Sequence, residues 1–378
     1  MGCEYAGNGH VEILLIAGTL SGLGGIETCI RALAQEAEDR GDHVRILALC
    51  ASTHDPTWQQ GLDYAEVAHG STSLRKQLLR GLPAMVKACR SRPADAVIAI
   101  YSSTIPGIRL ALWLAGRRRP VVSWLHFSTV HRQRTGLLRY ADAHLCISSE
   151  IANELITNPR IAARDVHLVF NGTRFDGAPL IPRSNGAPVR FLHVGRLMMG
   201  RQKRSDDLLR ALTQVEGEWR LDLVGAGDRV EDLPALRALA AELGIEHRLT
   251  WHGRQRDPWT AAVTADLLVL TSAFEGFPMV LIEAMVRGVP CLSTDCSSGP
   301  ADVIREGLNG WLFAVGDCSA LAERLQSIVH NPSLLPLASG VRASAESFSS
   351  TKVYQRIRAA MQQAIAKVRG ASFASQWE

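Results

Sequence analysis

Short runs of β-branched residues and leucine recur along the chain, each followed by a glycine or turn signal and then by apolar positions three and four apart. Such a run reads as a strand buried on both faces and the stretch after it as an amphipathic helix, so the alternation predicts an α/β fold built on parallel sheets. In the first half the runs predict strands at residues 11–17, 44–49, 96–101, 120–126, 143–147 and 166–169, with helices between most of them. The rhythm stops between Asn171 and Val189, where Gly, Pro and Asn are dense, and this segment reads as a linker. It restarts with strands at 190–194, 220–224, 249–252, 267–270 and 290–294, alternating with helices at 204–215, 230–243 and 278–288. From Ser319 the chain reads as mostly helical, with a last amphipathic segment at 352–368. Two α/β domains of similar size, facing each other across a hinge, are the expected organisation.

Composition narrows the class without changing this picture. Of 378 residues, 47% are hydrophobic and 21% charged, and the mean hydropathy is +0.03, which excludes a disordered or collagen-like chain. The longest early apolar stretch, Ile13–Leu20, is too short to span a bilayer, and Glu4 and Glu12 stand where a secretory signal needs basic residues. A cytoplasmic protein is expected. The eight cysteines include no C-x-x-C pair and several sit in apolar runs, so they read as reduced and structural, with no zinc site.

Three segments carry candidate chemistry. Gly22, Gly24 and Gly25 follow the first predicted strand and open a helix, a turn whose backbone N–H groups can approach an anion. Their spacing is not the dinucleotide fingerprint and no acidic residue ends the second strand, which disfavours a dinucleotide-dependent oxidoreductase. Gly195 and Arg196 follow the strand ending at Val194, with Arg201, Lys203 and Arg204 close behind. Cations at that strand end suggest a phosphate clamp, although a solvated basic loop is the ordinary fate of such a run. The segment Ser272–Ala284 places Glu275 in a loop, Pro278 in the first turn of a helix and Glu283 within that helix, two carboxylates able to accept hydrogen bonds from paired hydroxyls of a sugar and of a ribose.

The run Glu275 to Glu283 resembles the E-x7-E element of family 4 glycosyltransferases, retaining enzymes with the GT-B fold. The Gly24–Glu27 loop, His126 after an apolar strand, Asn171–Gly172, Gly195–Arg196 followed by Lys203, and Gly225 with Gly227 fall in that family's order. The resemblance spans nearly the whole chain, and the stretches around Arg201 and Ser297–Pro300 look like bacterial lipopolysaccharide-core galactosyl- and glucosyltransferases. It implies two Rossmann-like domains across an interdomain cleft: an acceptor-binding domain over 1–175, a nucleotide-sugar-binding domain over 176–348, and a final helix, 349–378, returning to the first. It implies Arg196 and Lys203 as the groups that neutralise the departing phosphate, Glu275 on the donor-sugar hydroxyls, and Glu283 on the ribose. It further implies that Gly276, Phe277, Met279 and Val280 line the donor pocket, the first three through backbone groups, and that His126 lies near the reacting carbon. Gly24, Gly25 and Gly225 count among the donor-binding positions. The base-binding stretch begins at Arg254, with uracil preferred and guanine open. No metal or cofactor is expected, since no D-x-D pair is present to hold a divalent ion.

The implied reaction is transfer of a hexose, from UDP-galactose or UDP-glucose by preference, to a saccharide of a cell-envelope glycolipid such as lipopolysaccharide core. The alternatives are a GDP-sugar mannosyl- or rhamnosyltransferase of O-antigen or exopolysaccharide synthesis and a non-catalytic nucleotide-binding scaffold. Charge adds a location. Between Ser71 and Tyr140 stand thirteen basic residues, Arg75, Lys76, Arg80, Lys87, Arg90, Arg92, Arg109, Arg117, Arg118, Arg119, Arg132, Arg134 and Arg139, against the single acid Asp95. The first six interleave with leucines at helical spacing, as in a basic amphipathic surface helix, so attachment to an anionic inner membrane face or to acceptor phosphates is expected. Nucleic acid is not, because no aromatic stacking platform accompanies the charge.

Overall fold

The first apolar run forms β1, Glu12–Thr19, with residues 13–18 buried, as a strand covered on both faces requires. The structure is a computed structural model and describes residues 9–20, 24–50, 56–67, 74–129, 135–184 and 186–374. After β1 come α1 (Gly25–Glu38), β2 (His43–Cys50), β3 (Asp63–Glu66), α2 (Leu74–Ser91), β4 (Ala96–Ala99), α3 (Ile105–Leu114) and β5 (Val121–Leu125). Then follow α4 (Thr135–Leu138), β6 (Ala143–Cys146), α5 (Ser149–Ile156) and β7 (Val166–Leu168). These strands form one parallel sheet in the order β3-β2-β1-β4-β5-β6-β7, with Ile16 of β1 opposite Leu47 on one side and Ala99 on the other.

A second parallel sheet, β10-β9-β8-β11-β12-β13, is built from β8 (Val189–Val194), β9 (Trp219–Val224), β10 (Leu249–Gly253), β11 (Leu267–Leu270), β12 (Cys291–Thr294) and β13 (Gly310–Phe313). Its helices are α6 (Ser205–Leu212), α7 (Asp232–Glu242), α8 (Met279–Val286), α9 (Pro300–Val303), α10 (Cys318–His330) and α11 (Ala338–Ser344). Phe191, Trp219, Leu267, Val269 and Leu292 fill its core beneath Leu208, Leu236 and Leu325 of the covering helices. The chain ends in α12, Ser350–Ala374. Two compact units result, Met1–Gly172 with Ser350–Glu378, and Thr173–Ser349.

Most expected strands appear within one or two residues of their predicted limits, but β3 and β13 were not expected. β3 is a polar, largely exposed edge strand, so no apolar run announces it, and β13 begins on a glycine and has only four residues. The expected helices at 204–215, 230–243 and 278–288 are shorter at both ends, and Pro278 precedes α8 instead of lying in its first turn. Within 171–189, backbone groups are tied to the second unit: Thr173 N–H donates to Phe348 O, Ile181 N–H to Arg287 O, and Ser184 N–H to Asp266.

In the first unit α12 is held by buried carboxylates. Asp42 accepts from Val11 N (2.7 Å), Tyr354 Oη (2.6 Å) and Arg358 Nε (2.7 Å), while Glu36 accepts from Ser350 Oγ (2.6 Å). Among the described residues no helix is long and apolar enough to cross a membrane. The described cysteines are free, six of them buried, and Cys3 lies outside the described residues.

Candidate functional site

In the second sheet the chain runs outward through β8, β9 and β10 and then returns to lay β11 on the other side of β8. The carboxyl ends of strands flanking such a reversal diverge, and ligands of open α/β sheets bind in the crevice they leave. Here that position lies between the loops leaving β8 and β11, which carry Gly195, Arg196, Lys203 and Glu275. His193 ties the two strands beneath it, its Nδ1 lying 3.1 Å from Val269 O. A carbonyl only accepts, so Nδ1 carries the proton and Nε2 keeps its lone pair, buried with no partner among the described residues. Burial pushes this imidazole down to about 4, so it is neutral.

Gly225 sits where the strand ends approach most closely. A Cβ there would lie 1.8 Å from the Gly195 carbonyl oxygen, and φ is +152° at both Gly225 and Gly195, so only glycine fits. Gly195 N–H donates to Val224 O and Gly225 N–H to Gly253 O, which locks the three neighbouring strand ends together.

The cations meet carboxylates across the reversal. Lys203 Nζ donates to Glu275 Oε1 at 2.6 Å, a pair 72 residues apart in sequence whose side chains are 13% and 8% exposed. Thr271 Oγ1 lies 2.9 Å from both the Lys203 and Arg204 carbonyls, fixing the backbone from which Lys203 reaches out. Arg196 is 53% exposed and donates from Nη1 to Asp228 (2.7 Å) and from Nη2 to Gln202 (2.8 Å). Arg201 pairs with Asp228 and Asp232. The Arg196 guanidinium, followed by Arg201, holds the Asp228 carboxyl below its ordinary value. Two arginines therefore share Asp228, and Arg196 is the more exposed of them. Asp228 and Thr271 were not anticipated from the sequence. The position of Asp228 one residue after Gly227 was the available signal.

The remaining predicted positions are distributed around this centre. Glu275 N–H donates to Ser297 O, which holds its loop against the one that follows β12. The Phe277 ring is buried against Phe348, with centroids 5.8 Å apart. Met279 N–H donates to Phe277 O at 2.9 Å within the turn. Gly276 and Val280 are half-buried and Arg254 is exposed in the loop after β10. Glu283, in the second turn of α8, does not share the partners of Glu275. Its Oε2 accepts from Trp259 Nε1 at 3.2 Å, the Trp259 ring lies under the Arg287 guanidinium, and burial pushes the carboxyl above its ordinary value.

The predicted residues of the first unit form a separate constellation. His126, just after β5, is 4% exposed and packs 4.6 Å from the Trp124 ring; its Nε2 has no partner among the described residues. Burial pushes it down to about 3, so it is a neutral imidazole throughout the physiological range. The segment after it is pinned to α5, where Glu154 accepts from Ser128 Oγ (2.6 Å) and from Thr129 N and Oγ1 (both 2.7 Å). Gly24 precedes α1, and its N–H donates to the Glu27 carboxylate at 3.1 Å. One N–H at this helix start is therefore engaged by the chain's own carboxylate. Gly25 has nothing within 4 Å of a Cβ position, and Gly22 lies outside the described residues. Among the described residues no cluster of three or more His, Cys, Asp or Glu forms a candidate metal site.

Residues 23–176 match the family described as Glycosyltransferase Family 4, and residues 188–331 match Glycosyl transferases group 1. A lipopolysaccharide 1,6-galactosyltransferase of Salmonella typhimurium is 34% identical over 331 residues, covering 84% of this chain and 90% of that protein. Its Escherichia coli K12 counterpart is 32% identical over 94% of this chain and 99% of its own length. Among solved structures, the lipopolysaccharide outer core galactosyltransferase WaaB in its apo form superposes with a TM-score of 0.81 at 31% identity, over 93% of this chain and 99% of that one. Anabaena HepE in complex with UDP and glucose superposes with a TM-score of 0.78 at 22% identity, over 94% of this chain and 100% of that one.

Proposed function

Because the chain belongs to glycosyltransferase family 4, we propose that it transfers a hexose, galactose or glucose, from a UDP-sugar to a saccharide of lipopolysaccharide core, with retention of anomeric configuration and without a metal ion. The observation that carries the acceptor class is the 34% identity to a lipopolysaccharide 1,6-galactosyltransferase along 90% of that enzyme. The site around β8 and β11 supports the chemistry. As the bond between the sugar C1 and the phosphate oxygen breaks, charge grows on the departing diphosphate, and Arg196 and Lys203 offset it without reorganising solvent. Glu275, held by Lys203, accepts hydrogen bonds from sugar hydroxyls, and Glu283 accepts them from the ribose. The acceptor oxygen bonds to C1 on the face the phosphate leaves, and its proton passes to that phosphate.

Titration with UDP, GDP and NAD in the presence of a chelator, followed by transfer from labelled UDP-galactose to truncated core saccharide, tests this reading. UDP is expected to bind with the chelator present, and Glu275→Ala is expected to abolish transfer with the fold intact. Preference for GDP would redirect the search to mannose-type donors. NAD binding, or no nucleotide binding, would defeat the proposal.

The first unit also carries a surface suited to an anionic bilayer. α2 and α3 pack together, Leu78 lying 3.1 Å from a Cβ position at Gly107 and Arg90 Nη2 donating to Leu114 O. Their outer faces expose Leu79 and Trp113, each 74% exposed, with Leu110 and Leu114, beside exposed Arg80, Lys87, Arg90, Arg117 and Arg118. The side chains of Arg75 and Lys76, and the whole of Arg132 and Arg134, lie outside the described residues. An aromatic ring flanked by cations fits the interface of a bilayer, each cation adding about 1 kcal/mol near anionic lipid. Sedimentation with phosphatidylglycerol vesicles at low salt is expected, reduced several-fold by Trp113→Ser and lost at high salt. Equal sedimentation of wild type and Trp113→Ser would remove this surface from the reading.

A further inference from the structure

Glu283 stands in an unusual setting for a residue that accepts ribose hydroxyls. It is half-buried in the second turn of α8, and its Oε2 is already engaged by the indole N–H of Trp259 at 3.2 Å. Trp259 is itself 8% exposed and belongs to the short 3-10 turn Pro258–Thr260 in the loop after β10. That turn is fixed at one end by Asp257, whose Oδ1 accepts from Trp259 N at 3.0 Å. On its other side the Trp259 ring lies 4.6 Å from the Arg287 guanidinium carbon, and Arg287 Nη1 donates to Glu283 O at 2.9 Å. The indole is therefore clamped between a cation and a carboxylate, and it cannot turn away without breaking both contacts.

We propose that Trp259 is a positioning residue for nucleotide binding: its indole N–H takes one oxygen of Glu283 and so aims the other at the vicinal hydroxyls of a nucleoside diphosphate. The inference rests on reading Glu283 as the ribose ligand and names the residue that makes it one. A carboxylate with both oxygens unengaged rotates about its last torsion, whereas a hydrogen bond from a fixed donor selects one orientation. The donor has a second effect. Burial favours the neutral acid, which has fewer acceptor sites for hydroxyls, and the indole N–H and the Arg287 charge oppose that tendency while the Asp257 charge adds to it. Arg342, which donates to Val286 O on α8 and lies close enough to Arg287 to feel its charge, completes the charged groups around this corner.

Trp259→Phe removes the N–H and keeps an aromatic ring under Arg287, so the packing survives and thermal melting serves as the folding check. Binding of UDP, followed by calorimetry from acid to neutral pH, is expected to weaken about tenfold at neutral pH, the loss of one hydrogen bond to a charged acceptor. The acid limb of binding is expected to move to higher pH, since the carboxylate has lost a stabilising donor. Glu283→Gln should also weaken UDP binding, and the double variant should be no weaker than Glu283→Gln alone. UDP binding by Trp259→Phe that matches wild type at every pH, or effects that add in the double variant, would overturn the proposal. Wild-type binding by Glu283→Gln would instead overturn the ribose role of Glu283, and the positioning role with it.

Discussion

Replacing Lys203 by alanine is expected to lower kcat for sugar transfer by about 10²–10³-fold, the scale of removing one preorganised charge from a developing oxyanion, about 3–4 kcal/mol. Two losses combine in this variant. The departing diphosphate loses a cation, and Glu275, whose side chain is 8% exposed, loses the ammonium group 2.6 Å from its Oε1. A carboxylate left unpaired in so buried a position turns toward solvent, and that change spoils its hold on sugar hydroxyls. Because the charge on the phosphate grows only as the bond breaks, the defect should fall mainly on kcat, with a smaller rise in KM for the donor. Steady-state kinetics with UDP-galactose, with circular dichroism to confirm the fold, measure it. A kcat within threefold of wild type would mean that Lys203 neither stabilises the departing phosphate nor is needed to hold Glu275 for the sugar.

Asp42→Ala should be the most damaging change outside the sites, costing the first unit about 3 kcal/mol, the lower end of what breaking a buried ion pair costs. The carboxylate is fully buried and receives Val11 N–H, Tyr354 Oη–H and Arg358 Nε–H, and alanine leaves all three donors without an acceptor. Arg358 is 27% exposed, so water recovers part of its loss, which places the estimate at that lower end. The same carboxylate makes stability depend on acid. Burial alone would raise its pKa, but the Arg358, Tyr354 and Val11 hydrogen bonds outweigh burial and hold it below the ordinary 3.8. A carboxyl depressed in the folded state stabilises fully above its unfolded pKa, and that contribution is lost as pH falls through the folded value. Urea melts of the wild type should therefore lose stability below about pH 4, and Asp42→Ala should flatten that dependence. An unchanged urea midpoint at neutral pH would show that α12 is held by its apolar face, Tyr354 and Ile357 among it, and not by this carboxylate.

Most strands that were legible in the sequence are buried on both faces, and the partly exposed edge strands β7 and β10 were legible as well. The residues of β1, β5 and β11 are mostly apolar, and a run of that kind has few other stable environments in water. β3 escaped notice because it is polar and largely exposed, and β13 because it is short and led by a glycine. Gly225 was legible as a glycine of interest, but not why it must be one. The 1.8 Å approach to the Gly195 oxygen exists only because β8 and β9 are neighbours. The partner of Met279 N–H, the Phe277 carbonyl, was not legible, because it follows from Pro278 falling just outside α8 and the turn closing.

The order of chemical groups along the chain, a cationic loop after one apolar strand and a pair of carboxylates after another, follows from the sequence by itself, because local periodicity places each loop at a strand's carboxyl end. Which cation meets which carboxylate was decided by tertiary structure alone. Lys203 and Glu275 are 72 residues apart, Arg196 and Asp228 are 32 apart, and Trp259 and Glu283 are 24 apart. Lys203 meets Glu275 because the sheet reverses its strand order at β8 and sets β11 beside it, and Arg196 meets Asp228 because β9 lies on the other side of β8, whereas Trp259 and Glu283 follow β10 and β11, which are not neighbours, and meet through the loop after β10 and α8.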